Sequence, residues 1–235
     1  MRRFYAQVTV AAGAILLDDK PVRTPARAPL ALSTAALAEA VAEEWRAQGE
    51  RIDPRTMPLT GLANAAIDRV APDPAAFVRP LAAYAETDLL CYRAAEPPDL
   101  AEEERVAWDP LLDWARARYD VHFTLGEGVI HVAQPPATAA RLAEALAARA
   151  PFALAPMNPL VTIGGSLVTA LALAEGEIAA EAAFDTTHLD ELYQARRWGE
   201  DPWALEAREA HRADFLAAAR FLALAQRGTQ ATRSS

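Results

Sequence analysis

Cysteine is almost missing from this chain of 235 residues. Cys91 stands alone, which excludes an internal disulfide and any cysteine-built zinc cage and fits a reducing compartment. Lysine is as scarce: Lys20 is the only one, so positive charge rests on arginine. With Lys+Arg 23 against Asp+Glu 32 and a net charge of -9, the chain lacks the basic footprint that general nucleic-acid binding requires. A basic protein partner is compatible with that balance. Long apolar runs are missing too. The longest, residues 160–174, is broken by Gly164-Gly165-Ser166 and is too short to span a bilayer, so no stable membrane insertion is expected.

The opening "MRRFYAQVTVAAGAILLDDK" places two arginines before an apolar stretch, as a secretion leader does. Tyr5 and Gln7 interrupt it, no small-residue cleavage site follows, and Asp18-Asp19-Lys20 ends it abruptly. Alternation over Phe4, Ala6, Val8 and Val10 reads instead as a half-buried strand.

Reaction chemistry is hard to place on this sequence. There is no phosphate-binding glycine loop and no dinucleotide fingerprint. "IGGSLV", 163–168, lacks the G-x-S-x-G spacing of a nucleophile elbow, and its small residues read as close helix packing. His122, His131, His188 and His211 never fall four apart, so no helix face offers two imidazoles to a metal. His122 and His131 could meet across a hairpin, without an evident third ligand. Cys91 lies in an apolar segment and reads as a buried, inert thiol. No cofactor is expected.

What is present predicts an α+β protein: a small sheet-containing domain over 1–86, a mainly α-helical orthogonal bundle over 87–227, and a disordered tail over 228–235. Strands are expected at 3–11 and 14–19, with Val22-Arg23-Thr24 as a short edge strand. Ser33 or Thr34 should cap a helix that stops near Gly49. Helices follow at 58–70 and from Asp73 to about Ala85. "TDLLCYRA", 87–94, reads as a strand and "AEPPDLAEEE" as a linker, with a helix starting at Asp109-Pro110. "VHFTLGEGVIHVAQ" reads as a β-hairpin around Gly126-Glu127-Gly128, and helices fill 136–149, 158–175, 178–198 and 202–226.

One stretch resists a purely architectural reading. "DELYQARRWGEDPWALE", 190–206, sets Trp198 and Trp203 on either side of a Gly-Glu-Asp-Pro turn, with Glu191, Glu200, Asp201 and Glu206 around it. Glu200 and Asp201 at the start of a helix are explained by its dipole. Glu191 falls in mid-helix on this reading, where capping does not explain it. The functional alternative is an acidic, aromatic recognition surface, since tryptophan anchors interfaces and carboxylates steer a partner's arginines.

Taken together, "FY" at 4–5, "LLDDKPVRTP" at 16–25, "EEWRAQ" at 43–48, "MPLTGLANAAIDRV" at 57–70, "YAETDLLCYR" at 84–93, "WDPLLDWA" at 108–115 and "YQARRWGE" at 193–200 are similar to the ATP12 family, assembly chaperones of the F1 sector of ATP synthase. The resemblance runs over about residues 3–226 and implies an N-terminal α/β domain and a C-terminal helical one. It implies a monomeric, non-enzymatic protein of the bacterial cytoplasm. Such a protein would bind the unassembled F1 α subunit and shield its β-interacting surface until α and β pair. The family's partner-binding positions fall here on Glu44 and Trp45, and on Glu191, Gln194, Trp198, Gly199, Glu200 and Asp201. Many members carry a second acid where this chain has Pro202; Asp201 or Glu206 would supply that charge. Trp45, in register with Leu37 and Val41, also reads as a core residue. Two other classes stay open on the residues alone: a hydrolase or lyase using Glu191 with His188 or His211, and a scaffold with another client.

Overall fold

The computed structural model describes residues 1–128 and 130–230, with side chains described as far as Arg227. Short strands come first: β1 (Val8–Ala11), β2 (Ala14–Leu17) and β3 (Lys20–Pro21). Helices α1 (Ala35–Arg46), α2 (Pro58–Ala65) and α3 (Pro74–Ala82) follow, then β4 (Tyr92–Arg93), α4 (Pro98–Tyr119) and β5 (Gly126–Glu127). The remainder is helical: α5 (Pro136–Ala147), α6 (Pro151–Leu154), α7 (Met157–Gly164), α8 (Leu167–Glu175), α9 (Ala180–Thr187), α10 (Leu189–Trp198) and α11 (Pro202–Gln230). The fold is α+β, with its longer sheet near the N-terminus. The described residues divide into two compact units: one within 1–74, 150–156 and 217–230, the other within 75–149 and 157–216.

In the first unit β1 and β2 pair antiparallel, Val8 opposite Leu17, through a turn at Ala12-Gly13. Gly13 has φ +80°, and a Cβ there would come within 3.0 Å of the Leu32 carbonyl, so the turn requires glycine. The pleat turns Ile15 and Leu17 inward. The strand reading fails before Val8: Tyr5 is buried while Phe4 is 64% exposed, the reverse of the predicted alternation. The Asp18 carboxylate takes the N–H groups of Ala6 (3.0 Å) and Gln7 (2.8 Å), which removes them from any ladder. The predicted edge strand at Val22-Arg23-Thr24 is reduced to an antiparallel bridge of Arg23 with Pro29, and the regular pairing lies just before it at Lys20–Pro21. Thr34, rather than Ser33, caps α1 by accepting from the Leu37 N–H at 3.1 Å. The helix stops at Arg46, three residues before Gly49. Its buried stripe of Leu37, Ala38, Val41 and Ala42 meets Ile15, Leu30, Leu59 and Ala63, and Phe221 closes the same cluster. Phe152 stacks on Phe221 with centroids 6.3 Å apart.

The second unit is built around α8, whose residues Leu167 to Ala172 are all buried. The predicted continuous helix over 158–175 breaks at Gly165-Ser166. Gly165 has φ +66°, and the Ser166 hydroxyl caps α8 by accepting from the Thr169 N–H at 3.0 Å. Gly164 does allow close approach: a Cβ there would lie 3.3 Å from the Thr187 side chain. The fully buried Asp88 accepts from the N–H groups of Val168 (2.9 Å) and Leu90 (3.1 Å), fixing the same helix start. Burial pushes its carboxyl up to about 6. These bonds explain why 87–94 is not a strand: Leu89–Cys91 is one tight helical turn, and only Tyr92–Arg93 is extended. Cys91 is buried, as expected, and burial pushes its thiol up to about 12.

Helix α4 overturns the expected linker and the start at Asp109. It begins at Pro98 and runs through Pro110, its inward face formed by Leu100, Glu104, Trp108, Leu111, Leu112 and Ala115. A glutamate in the middle of that face hides the periodicity. Trp108 is fully buried and donates its indole N–H to the Thr186 carbonyl at 2.8 Å. Asp109 pairs with Arg93 at 2.6 Å instead of capping.

The expected hairpin is absent among the described residues; Val129, in its turn, lies outside them. Gly126 and Glu127 pair in parallel with Tyr92 and Arg93. On the other side the buried Gln134 amide takes the place of a strand backbone, accepting from the Thr124 N–H (3.0 Å) and donating to its carbonyl (2.8 Å). The C-terminal helix extends through Gln230, past the predicted end at 226; of the predicted tail, residues 231–235 lie outside the described part.

Candidate functional site

Helices α10 and α11 meet at the acidic, aromatic corner. The predicted single helix over 178–198 breaks at His188, whose ring Nδ1 sits 2.9 Å from the Phe184 carbonyl and whose ring stacks on Phe184 at 3.8 Å. Burial lowers its pKa and keeps the imidazole neutral. Because α10 starts at Leu189, Glu191 falls in its first turn, not in mid-helix as the periodicity suggested. The helix dipole therefore does favour its charge. The carboxylate nevertheless stays exposed, without a hydrogen bond or ion pair among the described residues.

Gly199, with φ +89°, ends α10 in a backbone conformation that suits glycine. Asp201 then caps α11, its carboxylate accepting from the Trp203 N–H at 2.8 Å and its carbonyl from the Leu205 N–H at 2.9 Å. The corner encloses a cleft of roughly 390 Å³, lined by Glu191, Gln194, Trp198, Gly199, Glu200 and Asp201. Those are the corner residues predicted from the sequence, gathered on one concavity.

Two further lining residues carry its electrostatics. Arg208, only 8% exposed, bonds Glu200 from one turn-face of α11, and His211 stands beyond it. No spacing in the sequence signals Arg208, because Glu200 lies in the turn before α11 and shares no helical face with it. Arg196 and Arg197, the other cations of α10, are directed to Glu103 and Asp99 on α4. Trp198 and Trp203 remain 70% and 80% exposed, although Trp198 is held edge-on against Tyr193 with centroids 6.4 Å apart.

The remaining predicted site residues, Glu44 and Trp45, belong to the first unit. Glu44 accepts from the N–H groups of Leu59 and Thr60 and from the Thr60 hydroxyl, each at 2.7 Å. It is thus a borrowed cap for α2, whose own N-cap position, Met57, supplies no side-chain bond. Desolvation raises its pKa against those bonds. Trp45 is half-buried, edge-on to Tyr5 at 5.9 Å, and its backbone carbonyl takes the Tyr5 hydroxyl at 2.7 Å. Its indole N–H is buried without a partner among the described residues. It lines an apolar groove of about 270 Å³ with Met1, Ile52 and Met57, so it is both core neighbour and surface.

Among the described residues no three His, Cys, Asp or Glu side chains are placed to hold a metal ion. His131 lies 3.3 Å from the Tyr92 hydroxyl. Nor, among them, is any helix long and apolar enough to cross a membrane.

The family described as ATP12 chaperone protein matches residues 2–116. The crystal structure of ATP12 from Paracoccus denitrificans superimposes with a TM-score of 0.89 at 42% identity, covering 95% of this chain and 98% of that one. A point mutant of the same protein gives 0.89 and 42% over 95% and 97%. A protein from Agrobacterium tumefaciens gives 0.88 and 42% over 94% and 85%. With this identity sustained along nearly the whole of each chain, the protein belongs to the ATP12 chaperone family.

Proposed function

We propose that this protein is an assembly chaperone of the F1 sector of ATP synthase, which holds the unassembled α subunit and covers its β-interacting surface until α and β pair. The observation that carries this reading is family membership along nearly the full chain. A ring subunit exposes apolar surface before assembly, and such surface associates promiscuously. A protein that holds it requires an open, adhesive surface whose grip the correct partner can beat. The α10–α11 cleft has that character, with the exposed Trp198 and a carboxylate unpaired among the described residues facing solvent. We assign the partner-binding role to Glu191, Gln194, Trp198, Gly199, Glu200 and Asp201, with Trp45 at the apolar groove of the first unit; Glu44, expected from the sequence to share that role, instead supports the scaffold by capping α2. The protein works as a monomer in the bacterial cytoplasm, without cofactor or catalytic step.

The test is co-purification. Tagged protein is expressed with F1 α, then with α and β together, and each mixture is resolved by size exclusion. A complex with α that dissolves when β is supplied is the expected result. No complex with α under either condition rejects the assignment.

A further inference from the structure

Several features of the corner converge on one ligand chemistry. Trp198 presents an exposed indole face at the cleft and is held edge-on against Tyr193. Indole faces attract cations, and a planar guanidinium best of all because it also stacks. The acids of the cleft are not equivalent. Asp201 is occupied by the Trp203 N–H and Glu200 by Arg208. Glu191 alone of these three has its carboxylate free among the described residues. The cations that could neutralise it from its own helix, Arg196 and Arg197, are committed to α4. The cleft already accommodates one guanidinium: Arg208 is nine-tenths buried in its wall against a carboxylate. The opposite wall offers a second carboxylate with no guanidinium on it.

We propose that the cleft seats an arginine side chain of the client, borne on an apolar segment, which stacks its guanidinium on Trp198 and ion-pairs with Glu191. This rests on the chaperone reading and names what the held subunit must present there. The protein's net charge of -9 draws such a segment in, and the pairing is salt-sensitive. Arg208 keeps Glu200 occupied, so the arriving arginine is directed to Glu191.

The probes are three short blocked peptides with two leucines on each side of a central arginine, lysine or glutamate. Nuclear magnetic resonance follows the indole N–H signals of Trp198 and Trp203, assigned by single replacement with phenylalanine. The arginyl peptide is expected to shift the Trp198 signal, with Trp203, which does not line the cleft, as the reference. The lysyl peptide should bind several-fold more weakly, and the glutamyl peptide not measurably. Glu191→Gln should weaken the arginyl peptide about tenfold while leaving the circular dichroism spectrum unchanged. Equal shifts with the glutamyl peptide would reduce the cleft to an apolar surface and overturn the proposal; a lysyl peptide as good as the arginyl one would overturn the guanidinium assignment. Retention of F1 α is measured in parallel. Wild-type protein that holds α, with Glu191→Gln and Trp198→Ala holding it equally well, removes the cleft from the interaction but leaves the chaperone reading intact. Arginyl peptide binding without any retention of α does the reverse.

Discussion

The chain uses the same pair of residue types, glutamate and tryptophan, in two opposite settings. On α1, Glu44 has its carboxylate filled by three donors from α2, and Trp45 rests against Tyr5 and the first unit's core. At the α10–α11 corner, Glu191 has an empty carboxylate, and Trp198 and Trp203 face solvent. A buried, satisfied acid is part of the scaffold, because removing it strands the donors that it served. An exposed, unpaired acid contributes little to the scaffold and is free to meet a partner. Residue identity therefore does not say what a substitution will report. At α1 the first readout is stability; at the corner it is binding.

The largest effect should come from Glu44→Ala. It leaves the Leu59 and Thr60 N–H groups without their cap and is expected to cost about 3 kcal/mol, the range of hydrogen bonds to a charged acceptor. Thermal unfolding should shift down by roughly 6–12 °C for a chain of this size. Glu44→Gln, which keeps one acceptor oxygen, should lose about half as much. Unchanged melting with lost retention of α would place Glu44 in the same class as Glu191 and break the contrast.

The second prediction contrasts two acids that are neighbours of one another. Asp190, just before Glu191, faces Glu104 of α4, which is only 1% exposed. Burial, with the Asp190 charge beside it, pushes the Glu104 carboxyl up to about 7, while the Ala94 N–H at 2.7 Å and Arg93 act in the opposite direction. One Asp190 oxygen, Oδ1, is buried without a hydrogen-bond partner among the described residues. A carboxyl raised on folding contributes stability that is complete below its unfolded pKa and is lost as pH rises through the folded value. The Glu104 contribution should therefore fade between pH 4.5 and 7. Glu104→Gln, neutral at every pH, should flatten that part of the curve and stabilise the protein at pH 8 by roughly 2 kcal/mol. Equal slopes for the two proteins in denaturant melts at pH 5 and pH 8 would show that Glu104 does not carry the dependence.

How much of this was legible in the sequence depended on where each polar group's partner lay. The α+β class, the Thr34 cap, the start of α2 at Pro58, the buried Cys91 and the turn at Gly199 follow from local pattern and turn chemistry, and the structure agrees. Three of the errors involve a polar side chain whose partner the local pattern does not show. Asp88 bonds to the start of α8 eighty positions on and curls a segment that reads as a strand. Glu104 sits inward on α4 and disguises its apolar stripe as a linker. The Gln134 side chain stands in for the second strand of a hairpin. Nothing in the pattern of 217–226 announces that Phe221 packs against Leu37 and Leu59. The corner residues were legible as a group because they are local, only 11 positions from first to last in sequence. The state of each acid was not, since the break at His188 and the Glu200–Arg208 pair emerge only from the folded chain.

The smallest structural effect, and the sharpest test of the contrast, is expected from Glu191→Lys. Its place in the first turn of α10 makes the exchange slightly unfavourable, because a cation there opposes the helix dipole; the cost should be about 1 kcal/mol or less. No other side chain loses a hydrogen bond, since the Glu191 carboxylate makes none among the described residues. The cleft, however, exchanges its one free negative charge for a positive one beside the buried Arg208. Retention of F1 α should fall beyond detection while the melting temperature drops by no more than roughly 2–4 °C. A fall in melting as large as that expected for Glu44→Ala would show that Glu191 belongs to the scaffold too, and the distinction between the two sites would disappear. Normal retention with normal melting would keep the distinction in stability but take the corner away from the client.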